Sequence, residues 1–312
     1  MDLDFPILVL SDIHLGHPAS YAHEAEQLRP LFKNFSTVVF NGDTAEILWP
    51  NTRELANKHL EDIGNICLEE GAAPIYVSGN HDPMVSSANH LDLYGGAMLI
   101  THGDILFHEL APWSREANIT GPAHTEALKR LGRNALSDFE QRLFAVKEAS
   151  ISIEMHTLDV PRSWWTKIAM ILREGMPPWR AFRILKFWQQ TPHRANLLAD
   201  IFRPMSKFVL IGHTHRAGVW DIGDRTIINT GSYLPLSGRT AVLLEKDKLE
   251  VRKVDLKNGE FVLGAKVAER AVEPVIPDVD PGCTALDETL TFEFPSFETM
   301  EMSEENLMSL FE

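Results

Sequence analysis

The chain of 312 residues reads as an α/β protein interrupted by a helical insertion, and three observations carry that reading. Short apolar, β-branched runs recur along the sequence, each ending in a cluster of Asp, His, Asn and Gly. Amphipathic helical stretches separate the early runs, so strand and helix alternate as in a sheet built from βα units. Between residues 107 and 206 the alternation stops and helical periodicity takes over.

The elements follow in order. Ile7 to Leu10 runs into Ser11-Asp12-Ile13-His14, and a helical stretch at 20–34 follows. Val38 to Phe40 runs into Asn41-Gly42-Asp43. The next helix, 51–70, has apolar spacing through Leu55, Leu60, Ile63 and Cys67. Pro74 to Val77 leads to Ser78-Gly79-Asn80-His81-Asp82, and Met98 to Ile100 leads to Thr101-His102-Gly103-Asp104. Phe208 to Ile211 leads to Gly212-His213-Thr214-His215. Such continuous apolar runs are strands buried on both faces. Ligands of α/β sheets gather beyond the carboxyl ends of strands, so five polar clusters in that position predict one shared site.

A helical stripe at 125–150 passes through Leu128, Leu131, Ala135, Phe139, Leu143 and Val146. Further helices are expected at 163–175, 178–190 and 193–203, the last two parted by Thr191-Pro192. This insertion is too long for a loop and reads as a cap or lid. Strands are expected again at 218–221, 226–229, 240–244 and 249–254. The resulting division is 1–106 and 207–270 as two parts of a core, 107–206 as the cap, and 271–312 as an acidic, mobile tail.

Hydrophobic residues make up 44% and charged residues 23%, which excludes a disordered or collagen-like chain. Cys67 and Cys283 show no metal-like spacing and no disulfide framework, which points to a reducing compartment. The acidic start is unlike a signal peptide, and no apolar run reaches the roughly 18–20 residues of a membrane span. The expected location is the cytoplasm. The net charge of −15 is unevenly spread. From 271 to 312 there are eleven Asp/Glu and no Lys or Arg, whereas 161–207 carries nine Lys/Arg against two acids, a +7 island.

Imidazole, carboxylate and amide oxygen together suit Mn, Fe or Zn, and no thiolate is involved. Asp12 and His14 alternate, so both can reach one ion if the strand end curls. Asp43 follows a glycine that lets its carboxylate lie between two ions. Asn80 offers a carbonyl oxygen, and His213 and His215 alternate as Asp12 and His14 do. The ordered series Asp12-x-His14, Gly42-Asp43-x-x-Glu46, Gly79-Asn80-His81-Asp82, His102-Gly103 and Gly212-His213-x-His215 resembles the calcineurin-like metallophosphoesterases over residues 5–105 and 205–235.

That resemblance implies a four-layer αββα sandwich and two divalent ions, Mn²⁺ first, with Fe²⁺ or Zn²⁺ as alternatives. One ion would take Asp12, His14, Asp43 and His215. The other would take Asp43, Asn80, His102 and His213. The implied activity is phosphoester hydrolysis by a hydroxide held between ions about 4 Å apart. His81 would face the phosphate and Asp82 would orient it. Glu46 reads as a residue behind the ligands or at a helix start, and His17 as a surface-loop histidine.

Within the island, Arg180, Arg183 and Lys186 recur every third residue among Trp179, Phe182 and Trp188. Trp164 and Trp165 precede them, with Phe187 and Phe202 beyond. Such a face fits an anionic membrane surface and a substrate carrying acyl chains. The layout also resembles the UDP-2,3-diacylglucosamine hydrolases, which implies a lipid-linked pyrophosphate substrate and peripheral membrane contact through 161–207. Those enzymes commonly have Arg where this chain has His81. The alternatives are a nucleotide or cyclic nucleotide phosphodiesterase or nuclease, and a non-catalytic scaffold. The surrounding acidity disfavours a long nucleic acid, and a scaffold would lack ligands, of which none is missing.

Overall fold

The computed structural model describes residues 3–114, 116–152 and 178–275, without the side chains of 133, 134 and 178–181. Among the described residues the strands are β1 (Ile7–Leu10), β2 (Thr37–Asn41), β3 (Ala73–Val77), β4 (His90–Leu93), β5 (Met98–Thr101), β6 (Phe208–Ile211), β7 (Gly218–Ile222), β8 (Arg225–Asn229), β9 (Thr240–Leu244), β10 (Lys248–Lys257) and β11 (Glu260–Ala271). The helices are α1 (Arg29–Phe32), α2 (Arg53–Glu69), α3 (Ala117–Leu131), α4 (Phe139–Ile151) and α5 (Pro178–Phe202). One sheet runs β11-β10-β9-β1-β2-β3 and the other β4-β5-β6-β8-β7. β1, β2 and β3 are mutually parallel, as are β5, β6 and β8, so the carboxyl ends of each set open on one edge.

Alternation along β1 sets the layers. Ile7 and Val9 face the second sheet and pack with Val39, Met98, Ile100, Leu210 and Ile228. Leu8 and Leu10 face outward onto Leu31 and Phe32 of α1 and Ala56 and Ile63 of α2. On the far side, Leu99, Val209 and Ile227 pack under Phe139, Leu143 and Val146 of α4 and Ala195 and Leu198 of α5. Period-two strands buried on both faces thus give the four-layer αββα sandwich.

Several expected elements differ. The stripe at 125–150 is two helices, broken at Gly132 (φ +87°) and restarted where Asp138 caps the Gln141 amide at 3.1 Å. The break expected at Thr191-Pro192 is absent, and α5 runs through Pro192. A proline there leaves the Trp188 carbonyl without its helical donor, and the Arg216 guanidinium donates to that carbonyl at 3.0 Å. The insertion does not stand wholly apart as a lid, because α4 and the end of α5 form the outer layer of the second sheet. β4 and β11 were not expected. β11 runs to Ala271, after which Val272 is buried and the Val275 amide donates to the Tyr94 carbonyl, so packing against the core continues past 270. The helix expected at 163–175, the residues Trp164 and Trp165, and the acidic tail from 276 onward lie outside the described residues. Among the described residues no helix is long and apolar enough to cross a membrane.

Candidate metal centre

The strand ends curl through left-handed backbone. Asp12 (φ 50°), His14 (54°), Asp43 (52°), His213 (63°) and His215 (57°) all have positive φ. Such values cost energy in non-glycine residues and concentrate at functional sites. Here they turn both members of each alternating pair toward one place. Gly42 and Gly212 permit the close approach, since a Cβ on Gly42 would overlap the His102 ring and one on Gly212 would overlap the Asp12 carboxylate.

Among the described residues three groups of donor atoms result: Asp12, His14, Asp43 and His215 in the first, Asp43, His102 and His213 in the second, and His14, Glu46 and His81 in a third behind the first. Asp43 belongs to the first two. The His14 and His215 Nε2 atoms stand 3.1 Å apart, and His215 Nε2 is 3.2 Å from Asp12 Oδ1. His102 Nε2 is 3.3 Å from Asp43 Oδ2 and 3.2 Å from Asn80 Oδ1, which places Asn80 beside the second group.

Outer contacts choose the free nitrogen of each ring. His14 Nδ1 lies 2.8 Å from Glu46 Oε1, and His102 Nδ1 donates to the Asn41 carbonyl at 3.0 Å, leaving Nε2 inward in both. His213 is reversed, with Nε2 donating to the Leu110 carbonyl at 2.8 Å and Nδ1 left free.

His81 donates its backbone amide to Asp43 Oδ1 at 2.8 Å and holds Glu46 Oε2 through Nδ1 at 2.8 Å. The carboxylate that orients the ring is therefore Glu46 and not Asp82. Asp82 is fully buried, and its two oxygens accept the backbone amides of Asp43, Thr44 and Gly79 at 2.7–2.9 Å. It fastens the loop after β2 to the loop after β3. Glu46 precedes α2 by seven positions and is no helix start; it joins His14 to His81 from behind.

The charges follow this layout. Burial pushes the carboxyls of Asp12, Asp43 and Glu46 up, but neighbouring imidazoles outweigh it, His215 and His102 for Asp12, His102 and His81 for Asp43, and His81 and His14 for Glu46. All three stay ionised. Burial depresses His81, yet the charges of Glu46 and Asp43 override it and raise the ring to about 10. Burial and His102 push His213 down to about 3. Burial also pushes His17 down to about 4, and the ring is half-buried 6.1 Å from His14 rather than on the surface.

A cavity of about 140 Å³ opens over the centre. Asp43, Asn80, His81, His213 and His215 line it, and Trp49 and Trp113 supply apolar wall. Trp113 is steadied by ring contacts with Phe107, Phe187 and His213. Neither tryptophan was marked by the sequence, where each looks like an ordinary core residue. Arg183 donates to the Pro112 carbonyl next to Trp113 at 2.6 Å. Lys186 is exposed and does not line the cavity, and the Arg180 side chain lies outside the described residues. Trp188 and Phe187 turn inward, Trp188 Nε1 donating to the Thr214 carbonyl at 2.7 Å.

The donor set fits a pair of divalent ions. Ligand bonds of ~2.1 Å separate neighbouring donors by roughly 3.0–3.4 Å and opposite ones by about 4 Å. The His14–His215, His215–Asp12, His102–Asp43 and His102–Asn80 distances match the first value, and His14 Nε2 to Asp12 Oδ1 (4.0 Å) and to Asp43 Oδ2 (3.9 Å) match the second. Two imidazole nitrogens that face each other across a carboxylate are also relieved by a cation between them.

A family model described as Calcineurin-like phosphoesterase matches residues 5–217, from β1 through the His213–His215 loop. The chain belongs to that family. No curated protein gives a significant match to this phosphoesterase. Similar solved structures include Vacuolar Protein Sorting 29 from Cryptosporidium parvum, with 14% identity, 86% of this chain and 100% of that chain covered, and a TM-score of 0.38. A dimetal phosphatase from Danio rerio has 12% identity, 88% and 100% coverage and a TM-score of 0.42.

Proposed function

We propose that this phosphoesterase hydrolyses a phosphoester at two divalent ions, one held by Asp12, His14, Asp43 and His215, the other by Asp43, Asn80, His102 and His213. The observation that carries the reading is the membership of Asp43 in both donor groups, directly beneath a cavity that His81 also lines. Manganese suits the mixed nitrogen and oxygen donors, as do iron and zinc. When bound, such a pair neutralises charge on the phosphoryl oxygens and activates the attacking water. The chain's own groups do the rest. Glu46 keeps His81 protonated at Nδ1 and fixes the ring, so that Nε2 can donate to the leaving oxygen. Trp49 and Trp113 exclude water from one side of the reacting group.

Asp43→Asn tests this. The variant should lose metal by elemental analysis and lose hydrolysis of bis(p-nitrophenyl) phosphate with Mn²⁺. Full activity with two bound ions would end the assignment. A second reading keeps the same centre and takes a lipid-linked pyrophosphate such as UDP-2,3-diacylglucosamine, at an anionic membrane surface. It is supported by Phe182, 72% exposed, and Leu185, 50% exposed, beside Arg183 and Lys186 on α5. Liposome co-sedimentation of wild type and of Arg183→Glu/Lys186→Glu at low and high salt decides that part. If neither sediments, a soluble nucleotide or other small ester takes precedence.

A further inference from the structure

His17 follows the Asp12-Ile13-His14 turn and belongs to none of the three donor groups. Its surroundings nonetheless tie it to the centre. The His17 amide donates to the His14 carbonyl at 3.0 Å, the Ser20 amide donates to the His17 carbonyl at 3.0 Å, and Ser20 Oγ donates to the Ile13 carbonyl at 2.8 Å. This turn holds the ring edge-on to His14 with centroids 6.1 Å apart. The charges of Glu46, His14, His81 and His215 all reach it, and the ring contact with His14 sets it next to a member of the first donor group.

The tautomer is settled by the backbone. The Ala19 amide donates to His17 Nδ1 at 3.1 Å, so Nδ1 is an acceptor and the ring proton sits on Nε2. That Nε2–H has no acceptor among the described residues, although three hydrogen bonds shape the turn and a fourth, from the Ala19 amide, reaches the ring itself. A half-buried histidine with an N–H left over, one ring contact away from His14 of the first donor group, can offer that N–H to a phosphoryl or leaving-group oxygen.

We propose that His17 is a further catalytic residue of this phosphoesterase, whose Nε2–H donates to an oxygen of the bound phosphoester on the side of the ion held by Asp12, His14, Asp43 and His215. The proposal rests on the phosphoesterase reading above. No proton is transferred in this role; the N–H stays on the ring, and the bond strengthens as charge builds on the oxygen.

The experiment compares wild type, His17→Phe and His17→Gln, all loaded with Mn²⁺. Phe keeps the ring shape without the donor, and Gln restores an N–H near the position of Nε2. His17→Phe should lower kcat/KM on p-nitrophenyl esters about 10- to 100-fold, the range for a hydrogen bond to a charged group. His17→Gln should recover a tenth or more of the wild-type value. Inorganic phosphate binding, followed by calorimetry, should weaken in His17→Phe and return in His17→Gln, while metal content and melting temperature stay at the wild-type level in both. Equal kcat/KM and phosphate affinity in all three proteins would overturn the proposal. So would loss of a metal equivalent in His17→Phe, which would make His17 a support for His14 instead. A wild type that binds both ions and cleaves no ester would instead sink the phosphoesterase reading itself.

Discussion

Glu46→Gln is the most informative single change at this centre, because one buried carboxylate serves two imidazoles through its two oxygens, each at 2.8 Å. The replacement is nearly isosteric, so packing is kept. The amide has only one acceptor oxygen, and its NH₂ must face either His14 or His81, where an N–H already points. Each lost charge-assisted bond is worth about 1.5–3 kcal/mol. In the metal-free protein the charge of Glu46, with that of Asp43, lifts His81 to about 10 against the burial that opposes it. Removing the Glu46 charge should lower that midpoint, a tenfold change in proton affinity being about 1.4 kcal/mol. Proton NMR of the His81 ring in the metal-free variant reads this directly. On the other side, a ligand whose outer partner is lost typically gives up about 10- to 100-fold in metal affinity, so Mn²⁺ titration should show one weakened site. At saturating Mn²⁺, kcat should still fall about 100-fold or more, because the proton on His81 is no longer held. A His81 midpoint unchanged from wild type, together with two full-affinity sites, would refute the reasoning.

Two further outcomes follow from the same geometry. His81→Ala should retain both ions, since neither donor group that shares Asp43 contains His81 and Asn80 stands beside the second, while turnover falls about 10²- to 10⁴-fold; elemental analysis and kcat at saturating Mn²⁺ separate the two effects. His124 is fully buried, donates Nδ1–H to the His108 carbonyl at 3.0 Å, and is pushed by burial down to about 4. Its folded value lies below its unfolded one, so it favours the folded state most above about 6.5. That contribution should be lost as pH falls toward about 4. The melting temperature of wild type should therefore fall over that window more steeply than that of His124→Gln, and parallel curves would contradict this.

The sequence exposed the strand ends because each combines two strong local signals, an apolar run and a polar cluster, at the same boundary. The donor groups were legible for a related reason: Asp-x-His and His-x-His state both the chemistry and, through alternation, the shared direction. What could not be read depends on contacts between distant segments. Pro192 signals a helix break by itself, and only Arg216, 24 positions later, removes the penalty. Asp82 neighbours His81 in sequence and looked like its partner, whereas the chain turns it back onto three amides and brings Glu46 in from 35 residues away. β11 has the short apolar run Phe261-Val262-Leu263, but on an edge strand, with charged residues after it and no polar cluster at its end to mark it. His17 resembled any loop histidine until the Ala19 amide fixed its tautomer.

The left-handed backbone at Asp12, His14, Asp43, His213 and His215 also restricts what can stand at those positions. Asn, Asp and His adopt that conformation several-fold more readily than other side chains, and β-branched residues hardly at all. The residue types that bind metal are thus also the ones the turns accept. Drift to Val or Ile would strain the turn as well as remove a donor, whereas drift to Asn would silence a carboxylate and leave the loop intact. Asparagine at position 12 or 43 is accordingly the route to an inert but folded chain, one that keeps the fold and its surfaces while giving up the metal and the hydrolysis, so the centre can be lost without the protein being lost.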